Sequence, residues 1–261
     1  MTDGYLWFEG LPFPSIDYSY EGLKEACTKF VIKDEDTVMV SYPKSGTHWL
    51  IEILCLIHSK GDTTWIRSVS IWDRAPWLEI DTGYKLLKER EGPRFLTSHL
   101  PFYLFPKSFF TSKAKVIYIM RNPKDVLVSG YYFWTTTKFS KKPESLDQYF
   151  QWFLQGHVPY GSWFEHIRGW MSMRDRENVL LLSYEELQKV STCQKFCCLA
   201  SKSSDLHPAS LCMDSEQLYL KREESICGDW KNHLTVAQAE ALDKLYQEKM
   251  AGFPKELFPW E

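Results

Sequence analysis

The sequence predicts an α/β fold, a single domain whose central parallel sheet is flanked by helices, of the phosphate-loop nucleotide-binding type. Three observations predict it. Four short runs, at 37–42, 95–98, 115–120 and 179–182, are apolar and β-prone without strict alternation, as suits strands covered on both faces. Helix-start signatures fall between and after these runs. The first run also ends in Pro43-Lys44-Ser45-Gly46-Thr47, which puts a cation, two hydroxyls and a glycine where a helix begins. Backbone N–H groups at a helix start already favour negative charge.

The composition fits. A chain of 261 residues fits one α/β domain or two small ones and is long enough to bury a sizeable core, and 44% apolar with 25% charged content argues against disorder. A net charge of −3 gives no support to a nucleic-acid partner bound through bulk electrostatics, and none is expected. The start, MTDGYLWFEG, carries an acidic residue where a secretory leader is basic. No apolar run approaches the ~18 residues that cross a bilayer, so the expectation is a cytoplasmic protein without a membrane partner. The seven cysteines are then expected as free thiols.

Each element follows in order. The turn after 37–42 does not carry the order G-x-x-x-x-G-K-[ST], because Lys44 precedes Gly46. The physics survives the failed motif: N–H groups with the Ser45 and Thr47 hydroxyls cradle phosphate oxygens, and Lys44 adds a point charge. The run 95–98 ends in His99, an imidazole that titrates near neutral pH. The run 115–120 is closed by Arg121-Asn122-Pro123, with the proline at a helix start and Ser129 two turns along. A guanidinium fork there suits a terminal phosphate, or a carboxylate tying strand to helix. Capping pairs Ser145/Gln148, Ser183/Glu186 and Thr235/Gln238 start three helices, the first with Phe150, Phe153 and Leu154 on one face. Residues 188–225 are rich in Ser and Cys and read as a loop followed by a short helix. Within them Cys193, Cys197, Cys198, His207 and Cys212 match no zinc spacing, so no metal is expected. Trp72, Trp77, Phe133, Trp134 and Tyr160 serve either as core or as flat walls of an apolar pocket.

The stretches YPKSGTHW at 42–49 and RNPKDVLVSGYYF at 121–133 resemble the two signature elements of the cytosolic sulfotransferases. LWFEGLPFP, LTSHLP and GDWKNHLTVAQAE resemble the hydroxysteroid branch. The resemblance covers 1–187 and 227–261. It implies transfer of a sulfuryl group from 3′-phosphoadenosine 5′-phosphosulfate (PAPS) to the hydroxyl of a steroid-like or other apolar alcohol, without a metal. It implies that Lys44, Ser45, Gly46, Thr47, His48 and Trp49 hold the 5′-phosphosulfate, Trp49 lying near the adenine. Arg121 and Ser129 would bind the 3′-phosphate, Tyr184 would contact the nucleotide, and His99 would be the general base, with Lys44 neutralising the departing oxygen. It favours the pocket reading of the five aromatics. The K-x-x-x-T-V-x-x-x-E pattern over 231–240, from Lys231 to Glu240, implies a homodimer contact.

Two departures stand out. His48 replaces the family's usual Asn, and 188–226 loses the family pattern. Where the family has Arg-Lys-Gly before the Gly-Asp-Trp turn, this chain has Glu223, Glu224 and Ser225. Two carboxylates there repel a phosphate by roughly 1 kcal/mol per close pair even in water, unless Lys221 and Arg222 shift into register. Two alternatives to an active enzyme therefore stay open: a catalytically impaired apolar-ligand-binding protein on the same fold, and a dimerisation module whose nucleotide site never assembles.

Overall fold

The computed structural model of the chain describes residues 4–138, 141–189 and 227–260. A short antiparallel hairpin, β1 (Tyr5–Phe8) with β2 (Leu11–Pro14), opens it. Its two-residue turn holds Glu9 at φ 47° and Gly10 at φ 79°, the left-handed pair a tight hairpin uses. Helix α1 (Tyr20–Thr28) follows.

The main sheet consists of β3 (Thr37–Ser41), β4 (Phe95–Ser98), β5 (Lys115–Met120) and β6 (Val179–Ser183). These are the four predicted runs, shifted by one residue at the ends of the first and last. The order is β4-β3-β5-β6, all parallel. Helices α2 (Thr47–His58), α3 (Thr64–Ser68), α4 (Ile71–Arg74) and α5 (Asp81–Glu89) link β3 to β4. Helices α6 (Pro123–Thr136), α7 (Leu146–Gln155) and α8 (Trp163–Met171) link β5 to β6. Helix α9 (Tyr184–Lys189) leaves β6 directly, and α10 (Val236–Lys249) lies near the C-terminus.

The continuous hydrophobicity of the strands follows from this layering. Val38 and Val40 of β3 face the larger core, with Tyr118, Phe153 and Trp170. Met39, between them, faces the other core with Leu50, Ile51 and Ile117. Alternate side chains thus enter different apolar layers, so neither parity is free to be polar.

The amino end of the sheet is tied by a buried ion pair. Arg94 Nε donates to Asp36 Oδ1 at 2.9 Å and its NH2 group to Oδ2 at 2.5 Å. The remaining donors of Arg94 reach the carbonyls of Leu87 and Val31. Such a forked pair is worth keeping only because each of the three guanidinium nitrogens is hydrogen-bonded.

The capping predictions differ in detail. Thr235 and Gln238 form the full reciprocal box. Ser145 accepts the Gln148 N–H, but the Gln148 side chain reaches back to the Glu144 N–H instead. Ser183 accepts the Glu186 N–H and donates to its carboxylate. Cys27, Cys55 and Cys227 are free thiols; Cys193, Cys197, Cys198 and Cys212 lie outside the described residues, as does the short helix predicted within 188–225. Among the described residues no helix is long and apolar enough to cross a membrane.

Candidate active site

The connections from β3 and from β5 run to opposite sides of the sheet, which opens a crevice at the carboxyl ends of these neighbouring strands. The loop after β3 has Lys44 at φ 69° and Gly46 at φ 97°, and the Ser45 N–H donates to the Tyr42 carbonyl at 3.2 Å, a tight turn that leads straight into a helix. Helix α2 starts at Thr47 with Gly46 as its N-cap and no side-chain cap, which leaves first-turn N–H groups for an anion. A Cβ at position 46 would sit 2.5 Å from Tyr184 Cδ2; only glycine fits that close approach.

Arg121, at the end of β5, crosses to this loop. Its NH1 group donates to the Lys44 carbonyl at 3.1 Å, and its guanidinium lies 4.5 Å from the centre of the Tyr184 ring. Tyr184 meets Trp49 edge to face at 5.3 Å. Ser45 Oγ and Arg121 Nε are buried and have no hydrogen-bond partner among the described residues. Buried polar atoms are rarely left so. An oxyanion is the group that would satisfy both, so the residues fit a phosphate-bearing nucleotide.

On the other flank stands His99. Its Nδ1 lies 2.8 Å from the Ser41 carbonyl. A carbonyl only accepts, so Nδ1 carries the hydrogen and Nε2 keeps its lone pair. Burial, helped by the charges of His48 and Lys44, pushes the imidazole pKa down to about 4 against the Ser41 bond. The ring is neutral at neutral pH and free to take a proton.

Aromatic rings wall this flank. Tyr160 lies 5.3 Å and Trp77 6.1 Å from His99, centre to centre. Trp72 packs on Trp77 at 4.3 Å, and His48 meets both tryptophans edge to face. The Lys44 ammonium lies 4.3 Å from the centre of the Phe133 ring. The predicted residues Lys44 to Trp49, His99, Arg121, Tyr184, Trp72, Trp77, Phe133 and Tyr160 therefore converge on one rim. Ser129 lies half-buried in the second turn of α6. Trp134 is buried in the larger core, its ring against Phe133 at 4.7 Å, apart from the rings around His99.

Several partners were not read from the sequence. Glu79 is buried, and its Oε1 accepts the His99 N–H at 2.7 Å; burial is the chief cause raising its pKa to about 7. The hydroxyls of Tyr18 and Tyr160 are hydrogen-bonded to each other. His166 is held between the His99 carbonyl and the Tyr118 hydroxyl, and burial drives its pKa down to about 3. Glu185 accepts the Asn122 N–H at 2.9 Å, with its pKa raised by burial to about 7. Asp125 accepts the N–H groups of Gly228 and Trp230.

A family profile described as a sulfotransferase domain matches residues 34–197 and 200–254. The chain belongs to the sulfotransferase family. Within it the similarity is to the hydroxysteroid group: the chain is 55% identical to Sulfotransferase 2A1 of Macaca fascicularis, over the whole of both chains. It is 54% identical to the 3-beta-hydroxysteroid sulfotransferase of Cavia porcellus, covering 100% of this chain and 99% of that one. Among solved structures, mouse sulfotransferase SULT7A1 complexed with PAP superposes with a TM-score of 0.75 at 26% identity, covering 95% of this chain and 96% of that chain. Retinol dehydratase, in complex with androsterone and PAP, shares the fold at a TM-score of 0.79 and 18% identity, over 95% of this chain and 89% of that one. The family match continues through most of 188–226, so the departures there do not remove the chain from the sulfotransferases. The chain is accordingly an enzyme of the sulfotransferase class, and a binding protein on the same fold is the less favoured reading. Glu223, Glu224 and Ser225 lie outside the described residues.

Proposed function

We propose that this chain transfers a sulfuryl group from PAPS to the hydroxyl of a steroid-like or other apolar alcohol. One observation carries the assignment of roles: Lys44, His99 and Arg121 leave three neighbouring strands at one rim, with Ser45 Oγ and Arg121 Nε buried and unsatisfied between them. The PAP held by the mouse enzyme supports the donor, and the name of the Cavia porcellus relative supports the acceptor.

The geometry supports the following roles. The N–H groups of 46–49 with Ser45, Gly46, Thr47 and His48 hold the 5′-phosphosulfate, and Trp49 and Tyr184 flank the base. Arg121 and Ser129 take the 3′-phosphate. Trp72, Trp77, Phe133 and Tyr160 line the acceptor side, and Trp134 backs Phe133 from the core. His99 Nε2 takes the hydroxyl proton as the acceptor oxygen bonds to sulfur. The bond from sulfur to the bridging phosphate oxygen breaks, and Lys44 neutralises the charge left there. That interaction is stronger in the transition state than in the ground state, so it accelerates transfer.

The test is radiolabelled sulfuryl transfer to a panel of alcohols that includes a 3β-hydroxysteroid. His99→Ala is expected to lower the rate by about 10²–10⁴-fold while calorimetry shows PAP still bound. A His99→Ala enzyme working at the wild-type rate would sink the assignment.

Two further expectations belong to this reading. Residues 231–240, with Lys231 and Glu240 at the ends, form the contact between two copies of the chain. Val236, at the start of α10, is 75% exposed, an apolar side chain with reason to be covered. Val236→Glu is expected to shift sedimentation from dimer to monomer. A cytoplasmic location goes with a soluble donor, and cell fractionation tests it.

A further inference from the structure

We propose that Glu79 is a positioning residue for the transfer reaction: its buried carboxylate fixes the His99 backbone beside the Tyr160 ring, and its charge stabilises the imidazolium that His99 becomes on accepting the acceptor's proton. The proposal rests on the reading of His99 as the base.

The fold places Glu79 deliberately. Trp77 forms an isolated parallel bridge to Thr97, and the Leu78 N–H donates to the Thr97 carbonyl at 2.9 Å. This short extension of the sheet delivers Glu79 beside the end of β4, where Oε1 accepts the His99 N–H. Tyr160 packs edge to face against the same imidazole, 5.3 Å centre to centre. It holds φ at 68°, a costly conformation for a large side chain. Its N–H is tied to the Pro12 carbonyl at 2.9 Å, and its hydroxyl is bonded to Tyr18 beside the Glu79 carboxyl. Glu79 Oε2 is buried without a hydrogen-bond partner among the described residues. An amide would anchor the His99 N–H without burying an ionisable oxygen. The cost makes sense where the charge itself is used.

Glu79 is faced by His99 from β4, by Tyr160 from the loop before α8, and by Tyr18 and Cys27 from the α1 side. His99 is faced in turn by Lys44, His48 and His166. His99 is already neutral above about pH 4, and the carboxyl of Glu79 ionises near 7. The rate therefore climbs in two steps with rising pH, and the upper one belongs to Glu79.

The experiment is kcat/KM for the acceptor alcohol at saturating PAPS, between about pH 5 and 9. The wild type is expected to gain about tenfold through a limb near neutrality. Glu79→Gln keeps an oxygen for the His99 N–H but has no charge. It is expected to lose that limb, stay at the lower level, and keep the PAP affinity. A Glu79→Gln enzyme that retains the limb overturns the proposal. Should that variant not fold, Tyr160→Phe serves: it removes the hydroxyl that lowers the Glu79 pKa, so the limb moves to higher pH, and an unmoved limb overturns the proposal. A fully active His99→Ala would defeat the parent reading. An inactive His99→Ala beside an unchanged Glu79→Gln profile would defeat this one alone.

Discussion

At residue scale, the site depends on groups whose environment leaves no substitute. Gly46 is one: a β-carbon there meets the Tyr184 ring at 2.5 Å and must also adopt φ 97°. Gly46→Ala is expected to cost about 1–3 kcal/mol in backbone strain and to push Tyr184 off Arg121. Calorimetric titration with PAP should show affinity reduced about tenfold or more. Lys44, Gly46 and Arg121 were legible in the sequence because each stands in a local strand-turn-helix pattern whose chemistry is readable within a few residues. Glu79 was not. Its partner lies 20 residues away, and nothing in the sequence around it says that the sheet will bring the two together. The Tyr18–Tyr160 contact spans 142 residues and was invisible for the same reason.

At the scale of elements, the four main strands could be read because both faces of each are covered, which erases polar alternation. The β1–β2 hairpin escaped notice because Pro12 and Pro14 argue against a strand; in a two-stranded edge ribbon they are tolerated. Short helices α3 and α4, of five and four residues, carry too little periodicity to be seen. The strand ends divide the labour. The carboxyl ends hold the candidate site, whereas the amino ends of β3 and β4 are joined by Asp36 and Arg94. Asp36→Ala leaves a buried guanidinium unpaired and is expected to destabilise the fold by about 3–5 kcal/mol. Urea unfolding measures that loss, and PAP affinity of the folded fraction should stay unchanged.

Across the whole molecule, four buried ionisable groups set opposing pH responses. His99 and His166 have folded pKa values of about 4 and 3, below the ordinary 6.5. They contribute stability that is complete above the unfolded value and lost as pH falls below it. Glu79 and Glu185 are raised to about 7 from 4.5. Their contribution is complete below the unfolded value and lost as pH rises through the folded one. Between these ordinary values the two slopes oppose, so these groups leave stability nearly flat. Of these four, only the histidines act below about pH 4.5, and their contribution falls by roughly 1.4 kcal/mol per pH unit for each one still titrating. Melting temperatures across this range check the plateau, and Glu79→Gln should tilt it upward with pH. One further arrangement ties distant parts of the chain to the start of α6. Glu185 grips the Asn122 N–H, and Asp125 grips those of Gly228 and Trp230. The chain that leaves β6 and the chain that enters α10 are thus pinned to one point, the turn that closes β5 on the candidate site, so loosening either carboxylate frees a second segment along with its own.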